Sequence, residues 1–160
     1  MTIRCLRRED QESIKNILAA TEMFSAEEIE IAVELIQIYL DDPKQKDYEL
    51  FTSIDENNRV LGYVCVGPTP ATIGTYDLYW IAVEPMLHSK GVGTALLSFV
   101  EQRLKEHGGK LLIAETSSMQ KYKNTRAFYE RKGFVQLARI PEYYKPGDDL
   151  VIYGKYLTTT

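Results

Sequence analysis

Residues 76–94 decide the fold, and they read Tyr-Asp-Leu-Tyr-Trp-Ile-Ala-Val-Glu-Pro-Met-Leu-His-Ser-Lys-Gly-Val-Gly-Thr. An apolar strand runs into Pro85, a short basic turn follows, and an amphipathic helix begins near Ala95. Gly91 and Gly93 predict a backbone that takes positive φ and comes close to a ligand. Free N–H groups at a helix N-terminus bind anions, and Lys90 adds a positive charge. The stretch therefore predicts a pyrophosphate site, although a plain tight turn shows the same pattern.

The composition predicts one globular domain over residues 1–160. Of these 160 residues, 44% are hydrophobic and 26% are charged, which is ordinary for a soluble protein. The net charge of −4 argues against a nucleic-acid surface. Cys5 and Cys65 lie in apolar runs, and we expect reduced core thiols. The sequence shows neither a secretory signal nor an apolar stretch of about 18 residues, so we expect a cytoplasmic protein that does not enter the membrane.

Hydrophobic periodicity predicts the order β-α-α-β-β-β-α-β-α-β-β, a mixed α/β (α+β) fold without repeats or linkers. Ser25 and Glu28 form a capping-box pattern at the start of the second helix. That helix carries two apolar stripes. One holds Ile29, Val33, Ile36 and Leu40, and the other holds Ile31, Leu35 and Ile38. We expect both stripes to be buried in the core; the alternative is that one of them covers a substrate or a second subunit, the latter giving a homodimer. The last two strands, 134–140 and 150–157, leave Tyr143 and Tyr144 on the connecting loop.

Two motifs, at residues 83–94 and 128–134, resemble the GCN5-related N-acetyltransferase (GNAT) family. The first is Val83-x-Pro85-x-x-His88-x-x-Gly91-x-Gly93-Thr94, which is similar to the acetyl-CoA signature of that family, and it lacks the features of Walker and dinucleotide-binding loops. The second is Phe128-Tyr129-Glu130-Arg131-Lys132-Gly133-Phe134, which looks like the end of a helix in the family. The resemblance covers residues 1–157 and implies the GNAT acyltransferase fold.

The resemblance also implies an enzyme that uses acetyl-CoA as co-substrate and needs no metal. It would move the acetyl group directly to a primary amine of a small molecule or peptide. Main-chain groups of Ile81, Ala82 and Val83 are expected to pair with the pantetheine arm, as an added strand would. The remaining cofactor contacts expected from the family pattern are His88, Ser89, Lys90, Gly91, Val92, Gly93, Thr94, Thr125 and Phe128.

Tyr129 and Glu115 are the candidate catalytic residues. The family places a tyrosine at position 129, where its high pKa lets it hold a proton and donate it to the departing thiolate. Glu115 ends a predicted strand where related enzymes often have an acid near the amine, and it is the candidate base. Packing for Tyr129 and a structural salt bridge for Glu115 are the alternatives. Asp77 and Glu84 are weaker candidates for the base.

The roles of three tyrosines are left open by the sequence, and one alternative function stands beside catalysis. Tyr122 stands where the family often has an asparagine that contacts the cofactor, so Thr125 or Arg126 could take over that contact. Tyr143 and Tyr144, with Asp148 and Asp149, could hold a cationic amine by cation–π contact. A non-catalytic acyl-CoA-binding or partner-binding domain of the same fold is the alternative function.

Overall fold

The computed structural model describes residues 1–157, and the predicted domain end, residues 158–160, lies outside them. Seven strands and four α-helices follow one another in the predicted order, with short 3₁₀ turns at 8–10, 85–87 and 120–122. The elements are β1 (Thr2–Cys5), α1 (Gln11–Ala20), α2 (Ala26–Asp41), β2 (Glu49–Ile54), β3 (Val60–Pro68), β4 (Thr75–Val83), α3 (Val92–Glu106), β5 (Leu111–Ser117), α4 (Lys123–Arg131), β6 (Val135–Lys145) and β7 (Asp148–Tyr156). The predicted fold class is therefore confirmed.

The strands form one mixed sheet in the order β1-β2-β3-β4-β5-β7-β6. Neighbouring strands are antiparallel except β4 and β5, which are parallel. Helices cover the two faces. The α3 and α4 side holds one hydrophobic core, centred on residues such as Leu96, Val100 and Tyr129. The α1 and α2 side holds a second core around Ile14, Ile36 and other residues. The sheet thus separates two hydrophobic cores, one on each face.

Local signals in the sequence place the helix ends. The Ser25 hydroxyl accepts from the Glu28 N–H at 3.1 Å, and the Glu28 carboxylate accepts from the Ser25 N–H at 3.1 Å, so the capping box is confirmed. Gly133 has φ +88° just after α4, a left-handed conformation that suits glycine and ends the helix.

Three expectations were wrong. Strand β6 continues to Lys145, so Tyr143 and Tyr144 lie in a strand and only Pro146 and Gly147 form the turn. On α2, Ile31 and Ile38 are 52% and 38% exposed, because only one stripe of this helix faces the sheet. Both cysteines are free, but Cys5 is exposed on the edge strand β1 and only Cys65 is a core thiol.

Candidate active site

The central feature of the site is a gap between β4 and β5. These strands pair only at Thr75–Leu111, Tyr76–Leu112 and Asp77–Ile113. Farther along, β5 pairs with β7 and β4 pairs with β3, so the two parallel strands diverge. The register between β3 and β4 shifts near Tyr79, where the extra residue of a β-bulge increases the local twist. A cleft of about 1220 Å³ occupies the gap and reaches both sides of the sheet.

The diverging edge of β4 presents main-chain groups to this cleft. The Glu84 N–H donates to the Leu61 carbonyl of the β3 side at 2.9 Å. Main-chain groups of alternate residues in a strand point to the same side, so those of Ile81 and Val83 point into the cleft. Ala82 lies opposite Tyr63 of β3, and its main chain faces that strand. Of the three predicted residues, two therefore have the geometry to pair with an extended ligand.

The turn before α3 forms one end of the cleft. Gly91 has φ +86° and is the N-cap of α3, which agrees with the predicted left-handed turn. Gly93 lies in the first helical turn without positive φ, so its predicted conformation was wrong. An added Cβ would lie 3.5 Å from the Phe128 ring, an ordinary contact, so the space beside Gly93 is open towards the cleft that this residue lines. The first helical bond in this turn runs from the Ala95 N–H to the Gly91 carbonyl, which leaves the N–H groups of residues 92–94 free for an anion.

The positive charges near this turn differ from those expected. Lys90 is exposed and lies outside the cleft wall. His88 lines the cleft, but its Nε2 lies 3.2 Å from the Val83 carbonyl oxygen, to which an N–H on that nitrogen donates. Arg131 and Lys132, at the end of α4, line the cleft instead. Sequence reasoning missed both, although they stand inside the second motif.

The other predicted contacts are distributed along the cleft wall. Ser89, Val92, Thr94, Thr125 and Phe128 all line it. Arg126, offered as a replacement contact, instead donates to the main-chain carbonyls of Ser117 and Met119 at 2.8 and 2.9 Å. It therefore holds the end of β5.

Tyr129 lines the cleft and is only 5% exposed. Its ring is fixed by Phe128, Phe134 and Tyr153, with centroid distances of 5.7, 5.3 and 5.9 Å. The turn at Gly133 brings Phe134 back so that its N–H donates to the Tyr129 carbonyl at 3.0 Å. Burial raises the pKa of Tyr129 above its ordinary value, so the phenol keeps its proton at neutral pH. The arrangement suits a proton donor.

Glu115 projects from β5 into the same cleft. Its carboxylate also borders a smaller cavity of about 180 Å³ that Asp77, Leu78, Tyr79 and Ile113 line with it. Partial desolvation raises the pKa of Glu115, and the negative charge of Asp77 raises it further. Asp77 itself accepts from the Thr69 hydroxyl at 2.8 Å. A carboxylate with a raised pKa is a better proton acceptor than an ordinary glutamate. Glu84, the other candidate, is absent from the wall of the cleft.

The opposite end of the cleft is aromatic and acidic. Tyr144 and Asp148 line it from β6 and β7, whereas Tyr143 only packs edge-on against Tyr144 at 5.0 Å. Burial and the nearby Glu115 raise the pKa of Tyr144 to about 12. Asp149 is committed elsewhere, because it accepts from Arg139 at 2.7 Å. The side chains lining this end from the α1–α2 side are Met23, Phe24, Ser25, Glu28 and Trp80.

Within 1–157, His, Cys, Asp and Glu side chains form no group of three or more placed to hold a metal ion. The helices of this part of the chain are too short or too polar to cross a bilayer.

The chain matches known acetyltransferases in sequence and structure. Residues 12–134 match the model of the Acetyltransferase (GNAT) family. An S-(2-succino)cysteine N-acetyltransferase of Bacillus subtilis (strain 168) is 28% identical over 87 residues, and the match covers 52% of this chain and 53% of that protein. The chain thus spans about half the length of that relative.

Solved structures extend the similarity to the whole described fold. A crystal structure from Desulfovibrio desulfuricans, assigned to the GNAT acetyltransferases, superposes with a TM-score of 0.93 at 39% identity and covers 98% of this chain and 99% of that one. An aminoglycoside 6'-N-acetyltransferase complexed with coenzyme A superposes with a TM-score of 0.78 at 16% identity, covering 100% and 99% of the two chains. The second similarity concerns the fold alone.

Proposed function

Because the chain belongs to the GNAT acetyltransferase family, we propose that it transfers an acetyl group from acetyl-CoA directly to a primary amine of a small molecule or peptide. The observation that carries the proposal is the single cleft that joins a helix N-terminus, a diverging strand edge, Tyr129 and Glu115. An anion site, a site for an extended arm, a proton donor and a proton acceptor thus line one continuous space.

The cofactor end of this cleft fits a coenzyme A molecule. The N–H groups of residues 92–94, with Arg131 and Lys132 nearby, suit a diphosphate. The main-chain groups of Ile81 and the N–H of Val83, whose carbonyl already accepts from His88, suit the amide groups of a pantetheine arm, which would pair as an extra strand. Bound acetyl-CoA would supply the activated acyl group as a thioester.

Tyr129 supplies the proton that the reaction needs on the sulfur side. In the transfer, a nitrogen–carbon bond forms and a carbon–sulfur bond breaks, so the sulfur leaves as a thiolate unless it is protonated. The buried phenol of Tyr129 holds a proton at neutral pH and lines the same cleft as Glu115. This placement favours catalysis over a purely structural CoA-binding role.

Glu115 accepts the proton from the amine side. An alkyl ammonium must lose a proton before it can attack, and the raised pKa of Glu115 brings this carboxylate closer to that task. Because Glu115 is exposed, a water molecule can relay the proton to it. Neither Cys5 nor Cys65 lines the cleft, which supports direct transfer rather than an acetylated enzyme.

The test is release of free thiol from acetyl-CoA in the presence of defined amines. Suitable probes are S-(2-succino)cysteine, kanamycin, spermidine and a peptide with a free N-terminal alanine, with mass spectrometry of the products. The proposal expects amine-dependent thiol release and a product that is 42 Da heavier, about the mass of one added acetyl group. Tight CoA binding without turnover on any probe would identify a non-catalytic acyl-CoA-binding domain.

A further inference from the structure

The segment Thr21–Ser25, which joins α1 to α2, crosses the mouth of the cleft. On one side, the Phe24 ring packs edge-on against Trp80 of β4, with a centroid distance of 5.1 Å. On the other side, the Tyr122 hydroxyl, in the turn after β5, donates to the Met23 carbonyl at 2.9 Å. Because β4 and β5 form the two walls of the gap, this segment bridges both walls.

Tyr122 is the principal contact on its side. Lys121 also reaches the Met23 carbonyl, at 3.3 Å, but its side chain is exposed and its Nζ lies 5.2 Å from the centre of the Tyr122 ring. Burial and the charges of Glu28 and Asp148 raise the pKa of Tyr122, so its hydroxyl keeps the proton that it donates. The contact joins residues 99 positions apart in the chain.

The bridging segment belongs to the end of the cleft where an acceptor would bind. It is continuous with α1 and α2, which pack on the face of the sheet opposite to α3 and α4. Tyr122 lies among the acidic and aromatic residues at the acceptor end of the cleft. Glu28 and Asp148 are near enough to raise its pKa, and Tyr144 lies close by. The diphosphate site at α3 is on the other side.

We propose that Tyr122 is a positioning residue that latches the segment Thr21–Ser25 as a wall of the acceptor site, instead of contacting the cofactor. The inference rests on the proposed function, because it assigns this end of the cleft to the acceptor amine. Opening the latch would widen the acceptor end and leave the CoA end unchanged. Position 122 would then govern acceptor affinity.

The experiment compares Tyr122→Phe with the wild type and with Tyr156→Phe, which removes a hydroxyl from an exposed tyrosine of β7. Trp80 is the single tryptophan and contacts the segment through Phe24, so acrylamide quenching of its fluorescence reports detachment. Hydrogen exchange of the segment reports the opening directly. Losing one hydrogen bond should speed that exchange about 2- to 12-fold.

We expect Tyr122→Phe to show faster exchange of the segment and stronger quenching of Trp80, with a CoA Kd within about twofold of wild type. Tyr156→Phe should match the wild type in all three. With the best amine of the thiol-release panel, the KM for that amine should rise at least about threefold while the KM for acetyl-CoA stays constant.

The role of Tyr122 would be refuted if Tyr122→Phe showed wild-type hydrogen exchange of the segment Thr21–Ser25 and wild-type quenching of Trp80. It would also be refuted if Tyr122→Phe bound CoA more weakly while the exchange of that segment stayed unchanged. A similar opening in Lys121→Met but not in Tyr122→Phe would move the role to the lysine and also refute the assignment. Exchange and quenching need no acceptor. If no amine is acetylated by the wild type, the proposed function fails while these two measurements still decide the latch.

Discussion

Replacing Gly93 by valine should separate CoA binding from folding. An added Cβ would meet the Phe128 ring at 3.5 Å and Val83 Cγ2 at 3.7 Å, which are ordinary contacts. Gly93 also has helical backbone geometry, in which glycine is about 1 kcal/mol less favourable than alanine, so the backbone accepts a side chain there, and the urea curve measures what the two γ-methyl groups of valine cost beside Phe128. The side chain would, however, occupy the space through which a diphosphate approaches the N–H groups of residues 92–94.

The expected loss of affinity follows from those N–H groups. One hydrogen bond to a charged group is worth about 1.5–3 kcal/mol, and losing one raises the CoA Kd at least about tenfold. Isothermal titration with CoA and a urea unfolding curve measure the two effects. Gly108→Ala is the control, because Gly108 lies beyond the C-terminal end of α3 and outside the cleft wall, and its φ of +78° disfavours alanine, so strain should lower stability without changing the Kd. A folded Gly93→Val protein with wild-type CoA affinity would refute a phosphate role for this turn.

Two further variants test the raised pKa of Glu115 and the ion pair between Arg4 and Asp10. Asp77→Asn removes a negative charge that raises the pKa of Glu115, so the low-pH limb of the kcat/KM profile should move to lower pH; an unchanged profile would exclude Glu115 as the base. Asp10→Asn breaks a bidentate ion pair in which the Arg4 guanidinium donates to the Asp10 carboxylate at 2.7 and 3.0 Å. The substitution should lower the unfolding free energy by about 3 kcal/mol, or Tm by roughly 6–12 °C. Burial raises the pKa of Asp10, but its hydrogen bonds and the charge of Arg4 lower that pKa by more, so the net pKa lies below the ordinary value. The Arg4–Asp10 ion pair therefore stabilises the protein fully above the pKa that Asp10 has in the unfolded chain, and this stabilisation is lost as the pH falls through the lower pKa of Asp10 in the folded protein. The unfolding free energies of wild type and Asp10→Asn should therefore converge in acid. A constant difference in stability down to low pH would contradict this explanation.

Local signals in the sequence predicted the element order and several helix ends. The Ser25–Glu28 box, the turn at Gly91 and the stop at Gly133 depend on neighbouring residues only, and the structure confirms them. Most of the cofactor contacts expected from the two motifs line the cleft, but the gap between β4 and β5 was not predicted, because it depends on β5 pairing with β7.

Features that depend on distant parts of the chain were missed. Strand β6 extends to Lys145, but its register against β7 shifts between Ile140 and Lys145, and this irregular pairing of two strands is not revealed by the alternation of residues within β6. The contact of Tyr122 with Met23 joins residues 99 apart, and only the folded sheet brings them together. Cys5 is exposed because β1 is an edge strand, which an apolar alternating run does not reveal.

The most direct test of the proposed chemistry is kcat as a function of pH for the wild type and Tyr129→Phe, with an amine that the wild type acetylates. The substitution removes one oxygen and keeps the ring packed against Phe134 and Tyr153, so CoA binding should be nearly unchanged. If Tyr129 protonates the departing thiolate, kcat should fall about 10- to 100-fold, with an altered basic limb and a nearly constant KM for acetyl-CoA. Wild-type kcat across the profile would show that Tyr129 only packs the core and would contradict its role as the acid.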